Sequence, residues 1–283
     1  MTAGAEARRL PAGSNGAYAL GLARAVAGAI IFGLPLLMTM EMWWLGFHIS
    51  PPRLFLFVAF NFVILVGLSR FGGFEPTMTL SEDLLDALAA YGVGILAAAI
   101  ILILFGILQW GMPLDEWAGK IAVQSVPGSF GAMLARKQLG SGAGEKQEEH
   151  ALRTEGYPAE LFLMLVGALF LTFNVAPTEE MMLISYIMGP AHAFALVALS
   201  LLMLHALVYS VGFAGQHDAR KGGFIAAFFT YTIPGYGVAL LVSLYVLWTF
   251  GRADGVDLAG LASIVVVLGF PASIGAAIAR LVV

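Results

Sequence analysis

Seven stretches of this chain are each long and apolar enough for a helix to cross the hydrocarbon core of a bilayer, which takes about 20 residues. They fall at 24–49, 53–71, 84–110, 158–188, 193–212, 224–249 and 258–280. Buried strands do not run to such lengths, so the pattern predicts an all-α membrane protein of seven transmembrane helices. Composition points the same way. The 283 residues are 60% hydrophobic and only 11% charged, where soluble domains carry roughly a quarter charged residues. Mean hydropathy is +0.89.

The same numbers exclude several functions. A net charge of -4 spread over the loops leaves no basic stripe for nucleic acid. The absence of cysteine removes disulfides, thiolate metal sites and cysteine nucleophiles. Met1 to Gly16 is short and polar, with Arg8 and Arg9, and has no small-residue cleavage site, so the first span is expected to be retained.

Turn chemistry divides the spans. Ser50-Pro51-Pro52-Arg53 and Gly189-Pro190-Ala191-His192 read as tight turns, and Ser81 before Glu82 and Asp83 reads as a helix start. One long connection remains, 111–157. Its first part, Pro113 to Leu139, mixes apolar residues with Asp115, Glu116, Lys120, Gln124, Arg136 and Lys137, which predicts a helix lying in the interface. Its second part, Gly140 to Thr154, is rich in Gly, Glu, Lys and Gln and reads as a solvated linker.

With seven crossings, the N-terminal side holds Arg8, Arg9, Arg24, Arg70 and Arg252. The other side holds Arg53, Lys120, Arg136, Lys137, Lys146, Arg153, Arg220, Lys221 and Arg280. Positive charge stays cytoplasmic, so this count places the N-terminus outside and the C-terminus inside a bacterial-type inner membrane.

The chain also repeats itself. An offset of 139 pairs Thr39 with Thr178, Glu41 with Glu180, Met42 with Met181, Pro51 with Pro190 and Gly73-Phe74 with Gly212-Phe213. There are 11 identities over positions 39–74 without a gap. Tyr91-Gly92-Val93 and Tyr236-Gly237-Val238 continue the match at a shifted offset. This divides the chain into a first three-helix repeat (1–110), the connection (111–157), a second three-helix repeat (158–249) and a leftover seventh helix (250–283). Three crossings per copy force the second copy to enter upside down, giving the inverted 3+3 plan recurrent in transporters.

Glu41 lies ten residues before Pro51, and Glu180 ten before Pro190. At about 1.5 Å per residue each glutamate is then about 15 Å from its turn, half the hydrocarbon thickness. An unpaired carboxylate at that depth costs at least about 2.5–3.5 kcal/mol, and such groups normally face an interior or a water-filled cavity. Glu41 and Glu180 are therefore the candidate metal or cation ligands, assisted by Glu179 and by the hydroxyls of Thr39 and Thr178. Pro35 and Pro177 could release backbone carbonyls beside them. The structural alternative is that Pro177 starts an interfacial helix and that Glu41 pairs with Arg24 or His48.

Asn61 and His205 sit deep in their spans, and Asp83 and Asp86 stand at the mouth of the third. All four are pathway candidates, against plain roles in interhelical hydrogen bonding and helix capping. Met38, Met40, Met42, Met181 and Met182 are read as packing rather than as a copper site.

The stretches Thr39 to Gly46, Asn174 to Glu180 and Pro113-Leu114-Asp115-Glu116 resemble an uncharacterised bacterial family of seven-helix integral membrane proteins, a likeness that implies no activity. Asn174 to Glu180 is similar in style to the Pro-Glu signature of calcium/cation exchangers, without its glycine and serine positions. The three-plus-three-plus-one plan resembles trimeric intracellular cation channels in architecture alone. These readings point to a cation channel or exchanger for calcium or protons, a homo-oligomer being compatible. The alternatives are a non-catalytic scaffold or sensor that uses 111–157, or an intramembrane enzyme. No Gly-x-Ser-x-Gly, His-Glu-x-x-His or aspartate dyad lies within the spans, so the chain is expected not to be an enzyme.

Overall fold

The protein is seen here as a computed structural model, which describes residues 15–72, 79–139, 156–211 and 223–282. The linker expected at 140–154 lies outside them. The described chain folds into helices α1 (Asn15–Leu37), α2 (Met40–His48), α3 (Pro51–Gly72), α4 (Leu80–Leu104), α5 (Leu114–Leu139), α6 (Tyr157–Val175), α7 (Glu179–Ile187), α8 (Pro190–Val211), α9 (Ile233–Thr249) and α10 (Leu258–Val282). A π-helical turn, Phe228–Thr232, leads into α9. Among the described residues seven helical stretches are long and apolar enough to cross a membrane, the sixth running from Gly223 through the π-helical turn to Thr249.

Local chemistry sets the boundaries. Pro51 and Pro190 open α3 and α8, positions where a missing N–H costs nothing. Thr79 and Glu82 form a reciprocal capping box at the start of α4, so the N-cap is Thr79 rather than Ser81. Gly106 and Gly251 follow α4 and α9 with φ of 71° and 72°. Only glycine takes that left-handed cap without strain.

Two expected spans are broken. The run 24–49 divides into α1 and α2, and 158–188 into α6 and α7. Pro177 has no N–H to continue α6, which ends just before it. In the first half Thr39 donates from Oγ1 to the Pro35 carbonyl at 2.6 Å, closing the end of α1.

The larger correction concerns α5. An interfacial helix would leave one face open, but Val123, Gln124, Ser125, Val126, Ser129, Phe130, Ala132, Met133 and Leu134 are all buried. The helix runs lengthwise through the first half, antiparallel to α1. Gly28 meets Gly131, Gly33 meets Gly128, and Gln124 Nε2 donates to the Leu36 carbonyl at 3.1 Å. Its polar and small side chains fit a helix enclosed by other helices, where close backbone approach replaces apolar bulk.

Helix α10 does the same in the second half. Gly167 meets Gly275 as Gly28 meets Gly131. Ser263 Oγ donates to the Ser185 carbonyl at 3.1 Å, at the place where Gly119 presses on the Gly46 carbonyl. The sequences agree once aligned by 144. Pro127-x-Ser129-x-Gly131-Ala132-x-x-Ala135-Arg136 matches Pro271-x-Ser273-x-Gly275-Ala276-x-x-Ala279-Arg280. The last helix is therefore not left over. Each half contains four long helices and one short one, α1–α5 and α6–α10.

The contacts do not fit opposed halves. Arg53, at the start of α3, is ion-paired at 2.6 Å with Asp254 in the α9–α10 loop, and its guanidinium covers Trp248 at 5.1 Å. Helix α2 packs on the start of α5, and α7 on the start of α10. Both short helices therefore lie at the same end of the bundle, where an inverted repeat would place them at opposite ends. The halves meet along aromatic rings: Phe57 touches Phe173 and Phe250, each with centroids 5.5 Å apart, and Phe32 touches Phe170 at 5.2 Å.

Candidate functional site

A cleft of about 430 Å³ opens at the end where the short helices gather. From the first half it is lined by Met40, Glu41, Trp44, Leu45 and His48. From the second half come Pro177, Glu179 and the turn Phe250-Gly251-Arg252. It lies between the halves, with the helix breaks on its walls.

The breaks aim the carboxylates. Thr39 and Thr178 occupy the N-cap positions of α2 and α7, but neither caps its helix. Both hydroxyls turn back to the preceding helix, Thr39 to the Pro35 carbonyl and Thr178 to the Val175 carbonyl at 2.9 Å. Their protons are committed there, which leaves only lone pairs to offer a ligand. Glu41 and Glu179 then fall in the first turns of α2 and α7, where a carboxylate suits the helix dipole.

The level of Glu41 follows from its neighbours. Leu36 is held by Gln124, ten residues into α5, and Gly46 lies against Lys120, six residues in. At about 1.5 Å per residue these levels are about 15 and 9 Å from the start of α5. Glu41 lies between these two contacts along the chain.

The expected pairing is altered. Glu179, not Glu180, shares the cleft with Glu41; Glu180 is exposed on α7 and does not line it. A guanidinium joins them. Arg252 donates from Nη2 to the Pro177 carbonyl, the acceptor freed by the helix break. His48 closes the outer side, stacked on Trp44 at 5.7 Å and bonded to its carbonyl. Among the described residues no group of three or more His, Asp or Glu stands ready to hold a metal. Two carboxylates beside a guanidinium do not make the six- to eight-oxygen cage that calcium takes.

The other candidates lie elsewhere. Asn61 is buried in α3 and donates to Ser129 Oγ at 3.1 Å. His205 is buried in α8, its Nδ1 2.7 Å from Thr232 Oγ1 at the π-helical turn. Asp83 is buried and ion-paired with Arg70 at 3.1 Å, while Asp86 accepts from Ser69. Both aspartates lie at the end of the bundle opposite the cleft. Sequence reasoning missed Arg252, whose signal was the repeated Phe-Gly pair at 105–106 and 250–251. It also missed Tyr91, Ser125 and Ser129, because α5 was placed outside the bundle.

Residues 21–283 match the model of the family described as "Putative integral membrane protein (DUF2391)". No curated protein and no solved structure matches the chain.

Proposed function

Because the chain belongs to this family of integral membrane proteins, we propose that it is a non-enzymatic membrane transport protein, a cation channel or exchanger whose mouth is the cleft of Glu41 and Glu179. The observation that carries the reading is the cleft itself. Two carboxylates, one from each half, converge beside two broken helices in a bundle otherwise apolar on its outside. Discontinuous helices that meet at a repeat interface are the usual construction of ion sites in transporters. Arg252 lowers the net charge of the cleft, which favours protons or monovalent cations over a resident divalent ion such as calcium.

The burial of α5 supports a definite orientation. If α5 crosses, each half makes four crossings, both halves run in the same sense, and both termini share one face. Lys and Arg then divide sharply. Arg8, Arg9, Arg70, Arg136, Lys137, Lys146, Arg153, Arg220, Lys221 and Arg280 flank the face of the termini, against Arg53, Lys120 and Arg252 on the other, with Arg24 inside α1. Ten against three is a stronger bias than the seven-crossing count gives. It makes the termini cytoplasmic and turns the cleft outward.

Cation flux into proteoliposomes tests the function. Glu41→Gln and Glu179→Gln are expected to cut flux by at least about tenfold, which is roughly 1.4 kcal/mol of lost ion stabilisation. Glu180→Gln, outside the cleft, is expected to leave it intact. Unchanged flux in both cleft variants removes the reading.

A further inference from the structure

Midway along the first half, four helical positions bring uncharged oxygens together. Asn61 on α3, Tyr91 on α4, and Ser125 and Ser129 on α5 each lie at least ten residues from either end of their helix. At about 1.5 Å per residue that is about 15 Å, the middle of a hydrocarbon core. Asn61, Tyr91, Ser125 and Ser129 are all buried. Gly94 brings the helices close enough, since a Cβ there would stand 2.7 Å from the Ser125 carbonyl oxygen and from the Ser129 nitrogen.

The hydrogen bonds do not close. Ser125 Oγ donates to the Ala122 carbonyl and Ser129 Oγ to the Val126 carbonyl, each at 2.7 Å, so both hydroxyl protons are committed to backbone. One Asn61 amide proton goes to Ser129 Oγ. Asn61 Oδ1 and the Tyr91 hydroxyl are buried without a partner, although that hydroxyl faces Asn61 and Ser125. Lone pairs in the cluster therefore outnumber the protons left to meet them. Two protons remain for those lone pairs, the second Asn61 amide proton and the Tyr91 O–H, and buried polar atoms left without a partner each need an account. An electropositive occupant satisfies several at once.

We propose that Asn61, Tyr91, Ser125 and Ser129 form a binding site for a small, largely dehydrated monovalent cation. The cluster contains no carboxylate, and a divalent ion in so apolar a surrounding would demand one. Side-chain amide, hydroxyl and phenol oxygens are hard ligands of the kind that sodium and potassium accept. The second half lacks the full set. At the matching positions it carries Ser200, Tyr236, Gly269 and Ser273, so a single site per chain is expected.

The inference deepens the cation-pathway reading but stands on other residues. The test is binding to the purified full chain in detergent, by calorimetric titration and thermal unfolding, with choline chloride replaced by sodium or potassium chloride at constant ionic strength. Saturable binding of one cation per chain and a raised midpoint are expected. Tyr91→Phe and Asn61→Ser, the latter copying the second half, each remove one ligand and are expected to weaken binding about five- to tenfold. Tyr236→Phe is expected to change nothing. If neither cation binds the wild type, or if Tyr91→Phe and Asn61→Ser bind as it does, the proposal is overturned and the cluster holds water. Glu41→Gln separates the two readings. Binding retained with flux lost supports both, whereas binding and flux both retained removes the cleft as the mouth and leaves this site standing.

Discussion

Single residues decide how closely the helices pack, and glycine shows it most directly. At Gly167 a Cβ would lie 2.2 Å from the Gly275 carbonyl oxygen. That oxygen is backbone and cannot move aside as a side-chain tip does. Gly167→Ala is expected to destabilise the second half by about 1–3 kcal/mol, the usual cost of overpacking, seen as a lowered melting temperature in detergent. Gly92→Ala is the control, since nothing lies within 4 Å of its Cβ, and it should leave the midpoint unchanged or raised.

Asp254 gives a pH signature. Its hydrogen bond from Arg53 holds the carboxyl below the ordinary carboxylate range. A depressed folded pKa contributes stability that is present above the unfolded value of about 3.9 and is lost as pH falls through the lower folded one. The melting difference between wild type and Asp254→Asn is therefore expected to be constant near neutral pH and to vanish in strong acid. Because the pair is exposed, the difference should be small and sensitive to salt. At this scale the sequence was partly legible. Glu41 and Glu179 stood out as charges in apolar runs, but nothing short of the folded turn shows that Arg252 swings back to the Pro177 carbonyl while Glu180 faces away.

At the scale of elements, apolar length identified seven long helices correctly and missed α5 for a physical reason. Hydropathy reports what a helix shows to lipid, and α5 shows lipid little. It is enclosed by α1, α2, α3 and α4, with contacts that need glycine and serine more than leucine. The better signal was periodic. The Pro-x-Ser-x-Gly-Ala-x-x-Ala-Arg pattern occurs once in α5 and again in α10, a helix that reads plainly as a span. The separate helix after Pro177 was legible as the structural alternative to one continuous span, whereas the break at 38–39, just past Pro35, was not. The chain has no cysteine, so introduced ones test α5 directly. Single cysteines at Gly128 and Ala132 are expected to resist a membrane-impermeant maleimide in intact vesicles, while one at Leu114, which is exposed, should react. Ready labelling at 128 and 132 would return α5 to the surface.

For the molecule as a whole, the sense of the two halves determines where every loop lies, and it turns on the parity of crossings. Three per half put the Pro51 and Pro190 turns on opposite faces. Four put them on one face, with both termini on the other. The Arg53–Asp254 pair separates these cases. Arg53 begins α3, and Asp254 follows α9, so under three crossings per half the two residues would lie on opposite sides of a core about 30 Å thick. An ion pair cannot span that. The Phe57–Phe250 contact and the shared cleft walls repeat the point. The fifth and tenth helices thus complete the fold as equivalents, and the cleft faces away from the termini. Reporter fusions at both ends of the chain are expected to give the same cytoplasmic reading, and a cysteine at Met40 or Trp44 should be labelled from outside intact cells. Reporters of opposite sign at the two termini would require an odd number of crossings, and α5 would then have to leave the bundle in which its glycines are buried.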